Sequence, residues 1–207
     1  MADFIRFFIP VYFILFFMVS FLGISIHIRR KTGRDPNVFP KDESAYALIG
    51  FYFKMTLFVL FVYSILLAAF PEIVFSAWII RALDIDFLKY AGIAFMIIAF
   101  AWVFTAQVQM KNSWRIGIDR SMKTELITHG LFRFSRNPIF MGMMVSLFGF
   151  FLAFPTVINL AFYVVGNILM QIQIRLEEEH LLKEHGQAYL DYKKRVGRLF
   201  IFMNSIT

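Results

Sequence analysis

The sequence predicts an all-α, polytopic integral membrane protein with about five transmembrane helices, a C-terminal helical hairpin and a cytoplasmic C-terminal extension. Three observations carry this. The 207 residues are 59% hydrophobic and only 17% charged, where a soluble domain carries about a quarter charged residues. The apolar residues come in long unbroken runs, as in segments solvated by lipid. The basic residues, in turn, gather on one side of the membrane when five spans are drawn.

The first span runs from about Phe4 to Ile28. It is too long for the apolar core of a signal peptide, and it leads into Arg29-Arg30 without a small-residue cleavage site, so it is expected to be retained. Residues 29–46 are polar and carry Gly33, Pro36 and Pro40 as breakers. The second span runs from about Ala47 to Phe70 and stops at Pro71. Within the mixed segment 71–89, the stretch Phe75–Ile80 is too short to cross and is expected at the interface, where Trp78 is at home. The third span runs from about Tyr90 to Met110, and a second polar stretch covers 111–137. Pro138 then opens the fourth span, since proline is tolerated in a first helical turn. That span ends near Phe154-Pro155, and the fifth runs from Thr156 to Gly186. Thirty helical residues reach about 45 Å against a hydrocarbon core of about 30 Å, so the fifth helix is expected to project beyond the bilayer.

Three segments hold seventeen basic residues: 29–46, 111–137 and the C-terminal tail from Arg175 to Arg198. Only Arg6, Arg81 and Lys89 fall on the other side, while Lys54 lies within the second span. The positive-inside rule then places the N-terminus outside and the C-terminus in the cytoplasm. The net charge of +7 does not indicate nucleic acid, because the basic residues flank apolar spans and form no continuous stripe. With no cysteine, disulfides, thiolate metal sites and cysteine nucleophiles are excluded, and no metal site is expected.

Polar residues inside a span are costly and tend to have a use. Asn167, Gln171, Arg175 and Glu178 follow one another at helical spacing in the fifth span and descend to the acidic run Glu177-Glu178-Glu179. They read either as helix-to-helix hydrogen bonding with an Arg175–Glu179 pair, or as the wall of a polar pocket, which is the favoured reading. Gly142, Ser146 and Gly149 share one face of the fourth span, which predicts close packing against the fifth helix. A dimer contact is the alternative use of that face. Met141, Met143 and Met144 read as packing or lipid-facing residues that also suit an adaptable pocket wall. His129, taken alone, reads as a surface histidine.

Leu126 to Gly142 contains Gly130-Leu131-Phe132-Arg133 and then Arg136-Asn137-Pro138-Ile139-Phe140 at the mouth of a helix. This block resembles the isoprenylcysteine carboxyl methyltransferase and phospholipid methyltransferase superfamily. Asn112-Ser113-Trp114 upstream is similar to the family's approach to that block. So are Glu177-Glu178, Leu181-Leu182, Gly186, Tyr189, Tyr192 and Gly197-Arg198-Leu199-Phe200 downstream. The resemblance covers about 105–202, and the chain divides accordingly into an N-terminal transmembrane part (1–104) and a cofactor-binding part (105–207). Asn137 stands where the family commonly has His, and Phe140 where it has Tyr. The chain also lacks the Gly-x-Gly that phospholipid methyltransferases often place before the acidic pair.

The resemblance implies a cytosol-facing pocket for S-adenosylmethionine and a lipid or prenylated, lipid-like substrate entering from the bilayer. It implies cofactor contacts from Phe132, Arg136, Asn137, Pro138, Phe140, Glu177 and Glu178, and Gln171 and Arg175 join them as the pocket wall read from the polar stripe. The acidic pair would face the cofactor's cations, and Phe132 and Phe140 its adenine. The catalytic candidates are Glu178 and His129, as bases toward an amine acceptor, and Arg198, as the clamp on a substrate carboxylate or phosphate. Two other readings stand beside this one. Sterol-type NADPH-dependent membrane reductases are similar in the Arg-Asn-Pro block. A membrane scaffold or transporter is the non-enzymatic reading, although transporters usually place their sites near the midplane.

Overall fold

The computed structural model describes residues 2–33, 43–70, 72, 78–114 and 125–200. Arg34, Lys41, Arg115, Arg120, Lys123, Pro36, Pro40, Pro71 and 75–77 of the interfacial stretch lie outside the described residues.

All five apolar runs are helices. The first is a rod built from α1 (Ala2–Phe17), a π-helical segment (Met18–Gly23) and α2 (Ile24–Thr32). Gly33 stops it in the left-handed region at φ 71°, donating its N–H to Arg29 O. Arg29, Arg30 and Lys31 fill the last turn, where positive charge complements the helix dipole. α3 (Ala45–Ala69) starts at Ser44, whose hydroxyl accepts from the Ala47 N–H. α4 (Asp86–Met110) follows a single 3-10 turn, and Lys89 near its start pairs with Asp84 at 2.8 Å. α5 (Pro138–Ala153) and α6 (Val157–His185) form the hairpin, and α7 (Gln187–Arg195) turns back from α6 at Gly186, which has φ 54°. Among the described residues, four helices are long and apolar enough to cross a membrane. α5 is the shorter fifth, at 16 residues.

α5 is the centre of the bundle, and ten of its residues from Met141 onward are buried. Its small-residue face does not meet the fifth span, as expected from sequence, but the third. A Cβ on Gly92 of α4 would collide with the Ala153 nitrogen and the Gly149 carbonyl, and one on Gly142 would collide with Val103. Helix backbones approach this closely only where small residues such as glycine and alanine face each other. Ser146, on the same face, pairs with Tyr12 Oη at 2.7 Å, and that hydroxyl also reaches Met96 O, which ties α1, α4 and α5 together.

The far end of the hairpin is closed by the interfacial stretch. Ile80 N donates to Pro155 O at 2.8 Å and Val157 N to Trp78 O at 3.0 Å, making an antiparallel bridge between Ile79 and Thr156. Thr156 also caps α6, accepting from the Asn159 N–H. Exposed Phe4, Phe7, Phe51 and Phe58 on the outer helix faces suit a lipid environment.

Candidate functional site

The residues that resemble the family block meet at the opposite end from the hairpin turn. Trp102 Nε1 donates to Pro138 O at 3.0 Å and Gln109 Oε1 accepts from Leu131 N at 2.8 Å, so α4 fixes both the start of α5 and the 3-10 turn Gly130–Arg133 before it. The C-terminal residues then wrap that junction. Arg136 N donates to Gly197 O, Ser135 Oγ to Arg198 O, and Tyr192 Oη to Phe132 O at 2.7 Å. Burial pushes the Tyr192 hydroxyl well above its usual range, so it remains a donor.

Glu178 is the hub. Arg136 donates to its Oε1 from Nε (3.2 Å) and Nη2 (2.9 Å), and Asn137 Nδ2 reaches the same oxygen at 3.2 Å. Arg198 donates to Oε2 from Nε (3.1 Å) and Nη2 (2.9 Å). The remaining Arg136 nitrogen, Nη1, goes to the carbonyls of Lys193 and Val196. The Arg136 and Glu178 side chains are only 5% and 8% exposed, and charges that deep must be paired and hydrogen-bonded. The hydrogen bond to Glu178 holds the Arg198 guanidinium above even its ordinary pKa. The carboxylate is therefore engaged on both oxygens by protein groups. The sequence expectations of Glu178 as a base or cofactor ligand, and of Arg198 as a clamp on substrate, meet a structure in which each binds the other.

A cavity of about 1300 Å³, counting its open side, lies against this cluster. Its polar part is lined by Glu125, Arg136, Asn137, Gln173, Glu177 and His180, and its apolar part by Phe16, Phe21, Phe53, Val103 and Met143. Phe132, Pro138, Phe140 and Tyr192 also line it. The structure thus brings Phe132, Arg136, Asn137, Pro138, Phe140 and Glu177 to one cavity, with Glu178 behind them. It does not bring Gln171, Arg175 or His129 there. Arg175 is exposed and donates to Gln171 O and Oε1 at 2.8 and 2.9 Å, one turn back on its own helix. The Arg175–Glu179 pair does not form either, because Glu179 takes Lys183 at 2.6 Å. His129 is exposed before the 3-10 turn. The α6 face that lines the cavity is Gln173, Glu177, His180 and Leu181, at spacings of four, three and one. Sequence reading missed Gln173, His180 and Gln107. The 3.6-residue period anchored on Glu177 instead of Glu178 finds the first two.

The lining fits S-adenosylmethionine. Glu125 and Glu177 offer negative charge to its sulfonium and ammonium, and Phe132, Phe140 and Tyr192 offer rings to its adenine. Pro138 at the first position of α5 leaves the Ile139 and Phe140 N–H groups without intrahelical partners, as donors for a carboxylate.

Residues 87–188 match the family described as Phospholipid methyltransferase. Two relatives are methanethiol S-methyltransferases. The one from Pseudomonas deceptionensis is 34% identical over 84 residues (40% of this chain, 29% of the relative), and that from Bradyrhizobium diazoefficiens is 36% identical over 78 residues (37% and 26%). The chain therefore spans less than a third of the length of these relatives. The structure of a eukaryotic intramembrane Ras methyltransferase, isoprenylcysteine carboxyl methyltransferase, superimposes with a TM-score of 0.63 at 22% identity, over 98% of this chain and 68% of that one. That likeness is one of fold, and it extends through the N-terminal helices, where no motif is readable. Residues 87–188, just under half of the chain, thus match the phospholipid methyltransferase family, within a fold similar to that of isoprenylcysteine carboxyl methyltransferase.

Proposed function

We propose that the chain is an S-adenosylmethionine-dependent methyltransferase whose acceptor is a lipid or a small lipid-soluble molecule. The observation that carries this is a cavity lined both by acidic and aromatic residues of the family block and by apolar residues of the spans, Phe16, Phe53, Val103 and Met143. The former suit a cationic, aromatic cofactor, and the latter suit an apolar acceptor.

When bound, the cofactor would supply an electrophilic methyl group on a sulfonium, to be taken by the acceptor's lone pair with the carbon–sulfur pair left on sulfur and any acceptor proton lost to water. Such an in-line displacement asks the protein for alignment and for exclusion of water, more than for an acid. Glu177 is assigned to the cofactor's cations, Phe132 and Phe140 to its adenine, and the start of α5 at Asn137 and Pro138 to its carboxylate. Glu178, Arg136 and Arg198 are positioning residues that lock the C-terminal segment over α5. The cofactor end is assigned to the cytoplasmic side, following the basic residues.

Among acceptors, a thiol is favoured over an isoprenylcysteine carboxylate or a phospholipid head group, because both sequence relatives are named for methanethiol. Calorimetric titration of the detergent-purified chain with S-adenosylmethionine, with NADPH as the control for the reductase reading, tests the cofactor. Micromolar binding that weakens in Glu177→Gln is expected. Binding of NADPH alone moves the chain to the reductases, and binding of neither returns it to the scaffold reading.

A further inference from the structure

Gln107 of α4 lines the cavity, is 3% exposed and plays no part in the Glu178 network. Its Nε2 donates to Ser20 O at 2.9 Å. Its Oε1 is buried and accepts no hydrogen bond among the described residues. A buried acceptor left unpaired is costly, and where one persists beside a cavity a ligand or water is the natural partner.

The π-helical segment explains how the amide is held. In α-helical register the Ile24 N–H would bond Ser20 O, but here it reaches Val19 O. The Ser20 carbonyl is turned instead to α4. A carbonyl only accepts, so it fixes the NH2 group of Gln107 toward the rod and leaves Oε1 as the amide's uncommitted atom. π-segments of this kind are often kept at functional sites. Phe16, before the segment, and Phe21, within it, line the same cavity. Gln107 thus carries one uncommitted hydrogen-bond acceptor and lines a cavity that Phe16, Phe21, Val103 and Met110 also line.

We infer that Gln107, oriented by the π-helical segment, forms the subsite for the methyl acceptor, and that this acceptor is a small protic nucleophile carrying S–H or N–H on an apolar body. The amide oxygen accepts from such a group and fixes its direction. It takes no proton, being an amide. A carboxylate, ionised at neutral pH, presents only acceptors to Oε1 and is disfavoured there. This rests on the methyltransferase reading above.

The test uses the full chain in detergent, 1-butanethiol as acceptor and 1-chlorobutane as a competitor of similar shape without the donor. The KM for the thiol is expected about threefold to tenfold below the Ki of the chloride. In Gln107→Met the two constants converge, while the dissociation constant of S-adenosylmethionine stays unchanged. The ratio is read within each protein, so a smaller folded fraction does not move it, and the wild-type ratio alone is decisive if the variant does not fold. Equal constants in the wild type, an unchanged ratio in Gln107→Met, or a shift in cofactor affinity instead overturns the subsite. So does a farnesylated N-acetylcysteine carboxylate used in preference to the thiol. Absence of cofactor binding by the wild type overturns the methyltransferase reading itself, which separates the two failures.

Discussion

Arg136 and Glu178 stand 42 residues apart in the chain and meet at 2.9 Å, each almost wholly buried. The pair joins the start of α5 to the last turns of α6, and through Arg136 Nη1, bonded to Lys193 O and Val196 O, and through Arg198 it carries the C-terminal segment. Glu178→Gln leaves two guanidinium groups facing a neutral amide. Breaking a buried pair in this way costs about 3–5 kcal/mol. Thermal unfolding in detergent should show a clear loss of stability for Glu178→Gln, and a similar one for Arg136→Met.

Glu177, the neighbouring carboxylate, faces the cavity. Glu177→Gln is expected to keep the melting temperature within a few degrees and to weaken S-adenosylmethionine by about tenfold, or about 1.4 kcal/mol. Calorimetry and unfolding on the same preparation separate the two neighbours. Equal stability losses in both variants would refute the division of labour.

His129, Gln171 and Arg175 lie outside the cavity lining. Alanine at each should leave methyl transfer within about twofold of wild type, since surface changes usually stay within ±0.5 kcal/mol. Initial rates at saturating cofactor check this.

Gly92→Ala forces a methyl group into the backbone of α5 at Gly149 and Ala153. Overpacking costs about 1–3 kcal/mol. Gly166→Ala meets only the tip of the Leu147 side chain, which can move. The first substitution should lower the midpoint of thermal unfolding by several degrees more than the second.

The spans were legible because a lipid-solvated run is a property of composition, and the described breaks at Gly33, Pro138 and Gly186 fall where a helix stops or starts. The phase of the helices was not. The second half of α6 is polar on several sides, so nothing in its sequence separates the polar face toward the cavity from the polar faces turned elsewhere. A polar stripe counted from Asn167 therefore selects Gln171 and Arg175, where the cavity takes Gln173, Glu177 and His180. The Arg136–Asn137 and Glu178–Arg198 positions were legible only through the family's pattern, and that pattern names residues without saying that they would bond one another. Gln107 stayed hidden for a different reason: its orientation depends on a π-helical register in another helix, which leaves no signature in hydropathy. The small face of α5 was visible, but its partner was not, because Gly92 on α4 is one small residue in an apolar run.

The central helix is 16 residues long, about 24 Å, and its neighbours are 25 and 29. The bilayer core is about 30 Å thick, so the junction at Asn137 sits below the level at which α4 and α6 end. Under the proposed function, an acceptor dissolved in lipid meets the protein at that depth, and its concentration is a mole fraction in the bilayer, not a molarity in buffer. Apparent Michaelis constants would then rise in proportion to added lipid at fixed total acceptor, so turnover in vesicles is a partition measurement as much as an enzymatic one.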